Sequence, residues 1–365
     1  MEGVMRNLTN WGKLGLLSMV LVFTGASADH HEGHKGWMGN ITTGFTTGFG
    51  GGNTNGSQFL VDSVHMKKMF KVSDHTNVVV HNAMAVNDGN AAFFGRSLNE
   101  AGYFSAATIG AGNFRFSNLA AYVDWACGDG LNVKIGHMAN HLGMESIHGR
   151  AAMHGYYYSG AYNAGFALGW NYNLGLGLTY HSDSFGTVNW NVFQNPLNFN
   201  TAGIASTDTT LGTSLNWHTT IDGGDWSLMP VVSGYFGRFS GGPEDLGLTA
   251  GANYKMGTLW ANLEMVYVST APTPNGVKNT VYSIYLEPGF DLGMFAVSLK
   301  PEYFKNDTAG TKDINISAAI SKSWGKSWMK LTYLHTGSQG ATTDSTGTVL
   351  GANGNDVRVL FGTEW

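Results

Sequence analysis

The densest group of side chains able to do chemistry lies at residues 139–155, Ala-Asn-His-Leu-Gly-Met-Glu-Ser-Ile-His-Gly-Arg-Ala-Ala-Met-His-Gly. It carries Asn140, His141, Glu145, His148, Arg150 and His154. With His137 upstream, His137, His141 and Glu145 recur every four residues, which on a helix would bring them to one side as metal ligands. No His-Glu-x-x-His places a general base beside them. Solvated histidines are therefore the preferred reading, and no metal is assigned. A second tract, Asp29-His-His-Glu-Gly-His34, makes His30, His31 and His34 weak candidates for capturing Zn²⁺ or Cu²⁺, for which a disordered tail is the simpler account.

Enzymatic motifs are absent. There is no Gly-x-Ser-x-Gly elbow, and Gly-Phe-Gly-Gly-Gly at 48–52 lacks the Lys of a phosphate-binding loop. The one cysteine, Cys127, rules out a Cys-x-x-Cys pair, haem attachment and any internal disulfide. The expectation is a non-enzyme without a cofactor. A hydrolase with dispersed catalytic residues is the minor alternative, since a motif search does not register one.

The elements that position these groups begin with a leader. Arg6 and Lys13 precede the apolar run Leu14 to Phe23, followed by Gly-Ala-Ser-Ala28. This order predicts a signal peptide over 1–28, cleaved after Ala28. No stretch reaches the roughly 18 apolar residues of a membrane helix. Only 12% of residues are charged, 13% are aromatic and 52 are Gly, where soluble domains carry about 25% charged residues. A sheet closed into a barrel with its outer face in lipid accounts for that deficit. The net charge of -5 argues against a nucleic-acid partner.

The segment Val357-Arg-Val-Leu-Phe-Gly-Thr-Glu-Trp365 places Val357, Val359, Phe361 and Trp365 on one strand face, with Arg358 and Glu364 on the other. Leu259, Leu263, Met265 and Tyr267 alternate with Asn262 and Glu264, and Ile314, Ile316 and Ile320 with Asn315, Ser317 and Ser321. Short connections fall at Asn171–Asn173, Asp222–Asp225, Met256–Thr258, Asp291–Gly293 and Trp324–Lys326. Long ones fall at 183–206, 239–245, 271–278, 306–311 and 337–354. The alternation predicts an all-β transmembrane antiparallel barrel over 58–365, of sixteen strands, with fourteen to eighteen compatible. The first strand is expected at 58–66, and others at 101–109, 156–170, 173–182 and 207–219. Residues 29–57, with the Gly-rich 44–56, are expected to be flexible. Pro230, Pro288 and Pro301 fall inside strands and predict bulges or early ends.

The aromatic terminus with alternating apolar residues before it, the strand number and the loop pattern resemble the Gram-negative outer-membrane porin family. Trp365 stands where Phe is more usual. The resemblance implies a pore for passive diffusion of small hydrophilic solutes or ions, outer-membrane lipid and lipopolysaccharide around it, and a homotrimer. It implies that Val357, Val359, Phe361 and Trp365 form a signal for the barrel-insertion machinery. It also makes 139–155 the third surface loop, folded inward, with Asn140, His141, Glu145, His148, Arg150 and His154 at a constriction. Arg115, Lys134, Glu264, Lys300, Glu302 and Arg358 fall on the presumed inner face as pore lining, or else form structural ion pairs. Two other roles fit the same barrel: anchoring surface or cell-contact assemblies through 183–206 and 337–354, and sheathing a partner protein.

Overall fold

The computed structural model describes residues 37–49, 58–87, 113–139, 142–145, 159–161, 172–194, 211–238, 244–270, 278–337 and 354–365. In the strand Thr311–Trp324, Ile314, Ile316 and Ile320 are exposed while Asp313, Asn315, Ser317 and Ser321 are buried. Apolar out and polar in is the pattern of a sheet closed around a polar interior.

The strands are β1 (Met38–Phe49), β2 (Gln58–Lys71), β3 (Thr76–Asn87), β4 (Asn113–Gly128), β5 (Leu131–Ala139), β6 (Tyr172–Ser182), β7 (Gly186–Gln194) and β8 (Leu211–His218), the last continued by Ile221–Asp222. There follow β9 (Trp226–Arg238), β10 (Glu244–Met256), β11 (Leu259–Thr270), β12 (Asn279–Asp291), β13 (Ala296–Asn306), β14 (Thr311–Trp324), β15 (Ser327–His335) and β16 (Asn355–Glu364). Each pairs antiparallel with the next, and β16 pairs with β1 from Glu364 opposite Asn40 to Asn355 opposite Phe49. The sheet is thus a closed barrel of sixteen strands, without a free edge. Among the described residues no helix is long and apolar enough to cross a membrane.

Short turns gather at one end of the barrel. At one of them Asp129 and Gly130 take φ of 50° and 78°, the paired positive values of a tight hairpin that Asp-Gly favours. The longer connections, including 140–171, leave from the other end.

The expected number of strands is found, but two differ in place. β1 lies within the segment expected to be flexible. Its Thr residues fall on both faces and blur the alternation, yet Ile41 and Phe45 stand opposite Thr363 and Val359 of β16. β7 lies within 183–206, expected as a long loop; its polar Asn189 and Asn191 belong to the inner wall, opposite Asn216 and Ser214. The strand expected at 101–109 lies outside the described residues. Of 156–170, the described 159–161 are not strand, and Tyr172 and Asn173, expected in a turn, open β6.

The prolines cause neither bulges nor early ends. Pro230 faces Thr219, where β8 is already interrupted, and the register is the same on both sides of the break. Pro288 and Pro301 lie on β12 and β13, whose ladder pairs at Tyr285 with Glu302 and again at Gly289 with Ser298, but not between. Both missing N–H groups therefore share one local opening, while Pro288 keeps Ala261 and Pro301 keeps Ile316 as partners on their other sides.

Part of the glycine content has a steric reason. Tyr235, Trp260 and Trp328 lie across Gly247, Gly289 and Gly362, their directly opposite partners on the next strand. A Cβ at any of the three would enter the ring, so each inward aromatic covers backbone that only glycine leaves open.

Candidate functional site

The described parts of the connection from β5 to β6, residues 142–145 and 159–161, lie inside the barrel and dock on its far inner wall, β9 to β13. The Gly143 N–H donates to Ser233 Oγ at 2.9 Å, the Met144 N–H to Glu264 Oε1 at 2.8 Å and the Gly160 N–H to Glu302 Oε1 at 2.6 Å. Gly143 has a φ of 77°, and a Cβ there would strike the Glu264 carboxylate and Thr249. Only glycine meets both conditions. Beside these bonds, Leu142 and Ala161 of the loop pack in one cluster with Phe193 of β7 and with Tyr235, Val266, Val268, Val281 and Phe304 of the wall. Fully burying a side chain such as Leu142 contributes roughly 1.5–3 kcal/mol, so the seat is apolar as well as hydrogen-bonded.

Charged groups complete it. Lys300 Nζ lies 2.6 Å from Glu145 Oε1 and 3.9 Å from the centroid of the Tyr285 ring. Ser159 donates to Glu145 from its N–H (2.8 Å) and its hydroxyl (3.0 Å). Glu264 accepts from the Tyr285 hydroxyl at 3.0 Å and from the Thr249 hydroxyl. Glu302 accepts from Asn315 Nδ2 at 3.3 Å, and Glu287 from Asn262 Nδ2 at 3.0 Å and Ser298 Oγ at 3.3 Å. Each of these carboxylates is at most 5% exposed. Burial of that depth is tolerated because each is hydrogen-bonded.

The wall from β2 to β5 carries lysines and histidines with one aspartate among them. Lys67 stands opposite His81, and Lys134 opposite Asp124. Opposed residues share a face, and the alternate face of β4 and β5 carries exposed Val123, Trp125 and Ile135. Lys67, His81, Asp124 and Lys134 therefore face inward. His65 Nδ1 lies 3.1 Å from His81 Nε2. Lys67 is exposed and Lys134 half-buried, while Val79, Ala120 and Met138 of the same wall are buried.

Of the expected constriction residues, Glu145 is inside the barrel; Asn140, His141, His148, Arg150 and His154 lie outside the described residues. His137 is on the outward face, in phase with Ile135, whereas Glu145 is inside, so the four-residue spacing does not converge. Among the described residues no group of three His, Cys, Asp or Glu could hold a metal. His30, His31 and His34 lie outside them.

Among the expected pore-lining residues, Lys134, Glu264, Lys300, Glu302 and Arg358 face inward, and Arg115 of β4 stands opposite Ala85 of β3, with its side chain outside the described set. Lys300 and Arg358 are in ion pairs, Arg358 Nε lying 2.7 Å from Asp356 Oδ2. Tyr285, Glu287, Ser233 and Thr249 were not singled out from sequence. Glu287 was within reach, because it shares the parity of Tyr285 on a strand whose other face is apolar.

No protein-family model matches the sequence, and no curated protein matches it. Solved structures do. The outer membrane protein OmpT of Vibrio cholerae in its trimer form is 11% identical, with a TM-score of 0.60 over 90% of this chain and 98% of that one. Salmonella typhi OmpF, in complex with daunomycin, is 11% identical at a TM-score of 0.60, over 90% and 97%. An anion-selective porin from Comamonas acidovorans is 12% identical at 0.57, over 90% and 99%. At such identities the likeness is one of architecture: the chain has the barrel fold of bacterial outer-membrane porins.

Proposed function

We propose that the chain is a porin of the bacterial outer membrane, not an enzyme, through which small hydrophilic solutes or ions diffuse passively. The observation that supports this reading best is the docking of the β5–β6 connection across the barrel, with Glu145 against Lys300. A connection that only covered the barrel mouth would need no seat of buried donors and acceptors on the far inner wall. The loop side of the lumen is rich in glutamates and the β2–β5 side in lysine and histidine, and opposed signs across a channel orient dipolar solutes.

The reading includes cleavage of residues 1–28, a constriction formed by Asn140, His141, Glu145, His148, Arg150 and His154, and lipid and lipopolysaccharide against the exposed apolar face. It also includes homotrimer assembly, which the trimer form of one similar structure supports. Single-channel recording of the purified protein in a planar bilayer tests it. Large ohmic steps, grouped in threes, are expected. Silence from correctly folded protein would overturn the pore and favour an anchoring or sheathing barrel, which native extraction would recover with its partner.

A further inference from the structure

We infer that His65 of β2 and His81 of β3 form a binding site, on the inner wall of the barrel, for a late divalent transition-metal ion of the Cu²⁺, Ni²⁺ and Zn²⁺ class. The inference rests on the pore reading for the site's place on a solute path, and on its own geometry for binding.

The two side chains come from neighbouring strands. His81 faces the interior opposite Lys67, and His65 is the next inward position on β2. Both residues are half-buried. His65 Nδ1 lies 3.1 Å from His81 Nε2, and the rings are tilted by 44° rather than stacked, so that nitrogens and not ring faces approach. Two imidazole nitrogens, each about 2.0–2.1 Å from a shared ion, stand about 2.9 Å apart at a right angle and about 3.3 Å apart at the tetrahedral angle. The observed separation falls between the two, so the sheet already holds the pair at the spacing of two ligands on one ion.

The chemistry fits as well as the spacing. A hydrogen bond between two ring nitrogens needs one of them bare, so at least one imidazole is neutral, the form that ligates a metal. Binding exchanges that hydrogen bond for two coordinate bonds. The shared proton passes through water to the outer nitrogen of its own ring, and each ring turns slightly to aim its lone pair at the ion. His65 Nε2 and His81 Nδ1 then carry the N–H groups, as the outer nitrogens of metal-bound histidines do. Water fills the remaining positions, since Lys67 beside the pair is exposed.

The donor type decides which ion. Imidazole nitrogen suits Cu²⁺, Ni²⁺ and Zn²⁺, whereas Ca²⁺ and Mg²⁺ seek oxygen. Local charge does not decide it. Lys67 and Lys134 are matched by Asp124, opposite Lys134, and by Glu364 of β16, opposite Asn40, which is itself opposite His65. The affinity therefore comes from the two nitrogens and not from a field.

Calorimetric titration of the detergent-solubilised full chain with Cu²⁺, the tightest binder of its series, tests the site without requiring conduction. Wild-type protein is expected to bind one more Cu²⁺, at micromolar Kd, than either His65→Asn or His81→Asn, and excess Mg²⁺ not to displace it. Replacing His30, His31 and His34 by alanine, in the tract that precedes β1, should leave that equivalent in place. Equal Cu²⁺ uptake by wild type and either ring variant, displacement by Mg²⁺, or loss of the equivalent with the tract would overturn the site. The tract variant keeps the test decisive where a ring variant fails to fold, because a barrel that binds no Cu²⁺ without the tract has no site at the pair. Conduction by a protein lacking the equivalent would leave the pore standing and remove this inference alone; Cu²⁺ held by the pair in a protein that does not conduct would do the reverse.

Discussion

The ammonium of Lys300 on β13 lies 2.6 Å from the carboxylate of Glu145, 155 residues earlier in the chain, and both side chains are at most 4% exposed. The pair joins the inward loop to the far wall, so each partner left alone would be a buried charge. Breaking such a pair by removing one member costs about 3–5 kcal/mol. Lys300→Met should destabilise the barrel by about that amount and raise single-channel conductance as the loop loosens. Glu145→Gln combined with Lys300→Met should lose less than the sum of the single changes, because the two sites share one interaction. Denaturant unfolding in detergent measures the first effect, and bilayer recording the second.

Trp260 and Gly289 form a second coupled pair, here through shape. A Cβ at position 289 would enter the indole. Gly289→Val should cost about 1–3 kcal/mol by overpacking, and Trp260→Ala should remove most of that penalty when the two are combined. If Gly289→Val were equally harmful with and without the indole, the steric account of this glycine would fail.

Ile135 tests which face of β5 meets lipid. It is 58% exposed and in phase with outward residues, whereas its neighbour Lys134 faces the interior. Ile135→Arg should cost about 2–4 kcal/mol if it lies near the bilayer midplane, and Ile135→Leu almost nothing. An arginine tolerated at position 135 would mean that the faces have been assigned the wrong way round.

The last two-thirds of the barrel was legible because Ile314, Ile316 and Ile320 alternate with buried polar residues, a period that only a strand supplies. β1 and β7 were not, since threonine suits either face in β1 and the inward asparagines of β7 read as loop. The apolar seat of the loop was hidden for a related reason. Val266, Val268, Val281 and Phe304 occupy inward positions that alternation assigns to polar groups, and only the docked Leu142 and Ala161 explain them. Glu145 was visible as a candidate, but its partner Lys300 was a separate entry to the lumen until the fold brought the two together.

Trp365 separates closure of the barrel from its delivery. Its N–H donates to the Gly39 carbonyl at 3.0 Å and its carbonyl accepts from the Gly39 N–H at 3.2 Å, both through the backbone, so closure does not depend on the indole for hydrogen bonds. If Val357, Val359, Phe361 and Trp365 act as an insertion signal, Trp365→Ala should lower the amount of folded barrel in cell envelopes while purified chain still refolds in detergent. Equal loss in both settings would make the indole a structural element of the β16–β1 seam, since its ring carbons also lie against Gly39. Equal recovery in both would remove Trp365 from the signal.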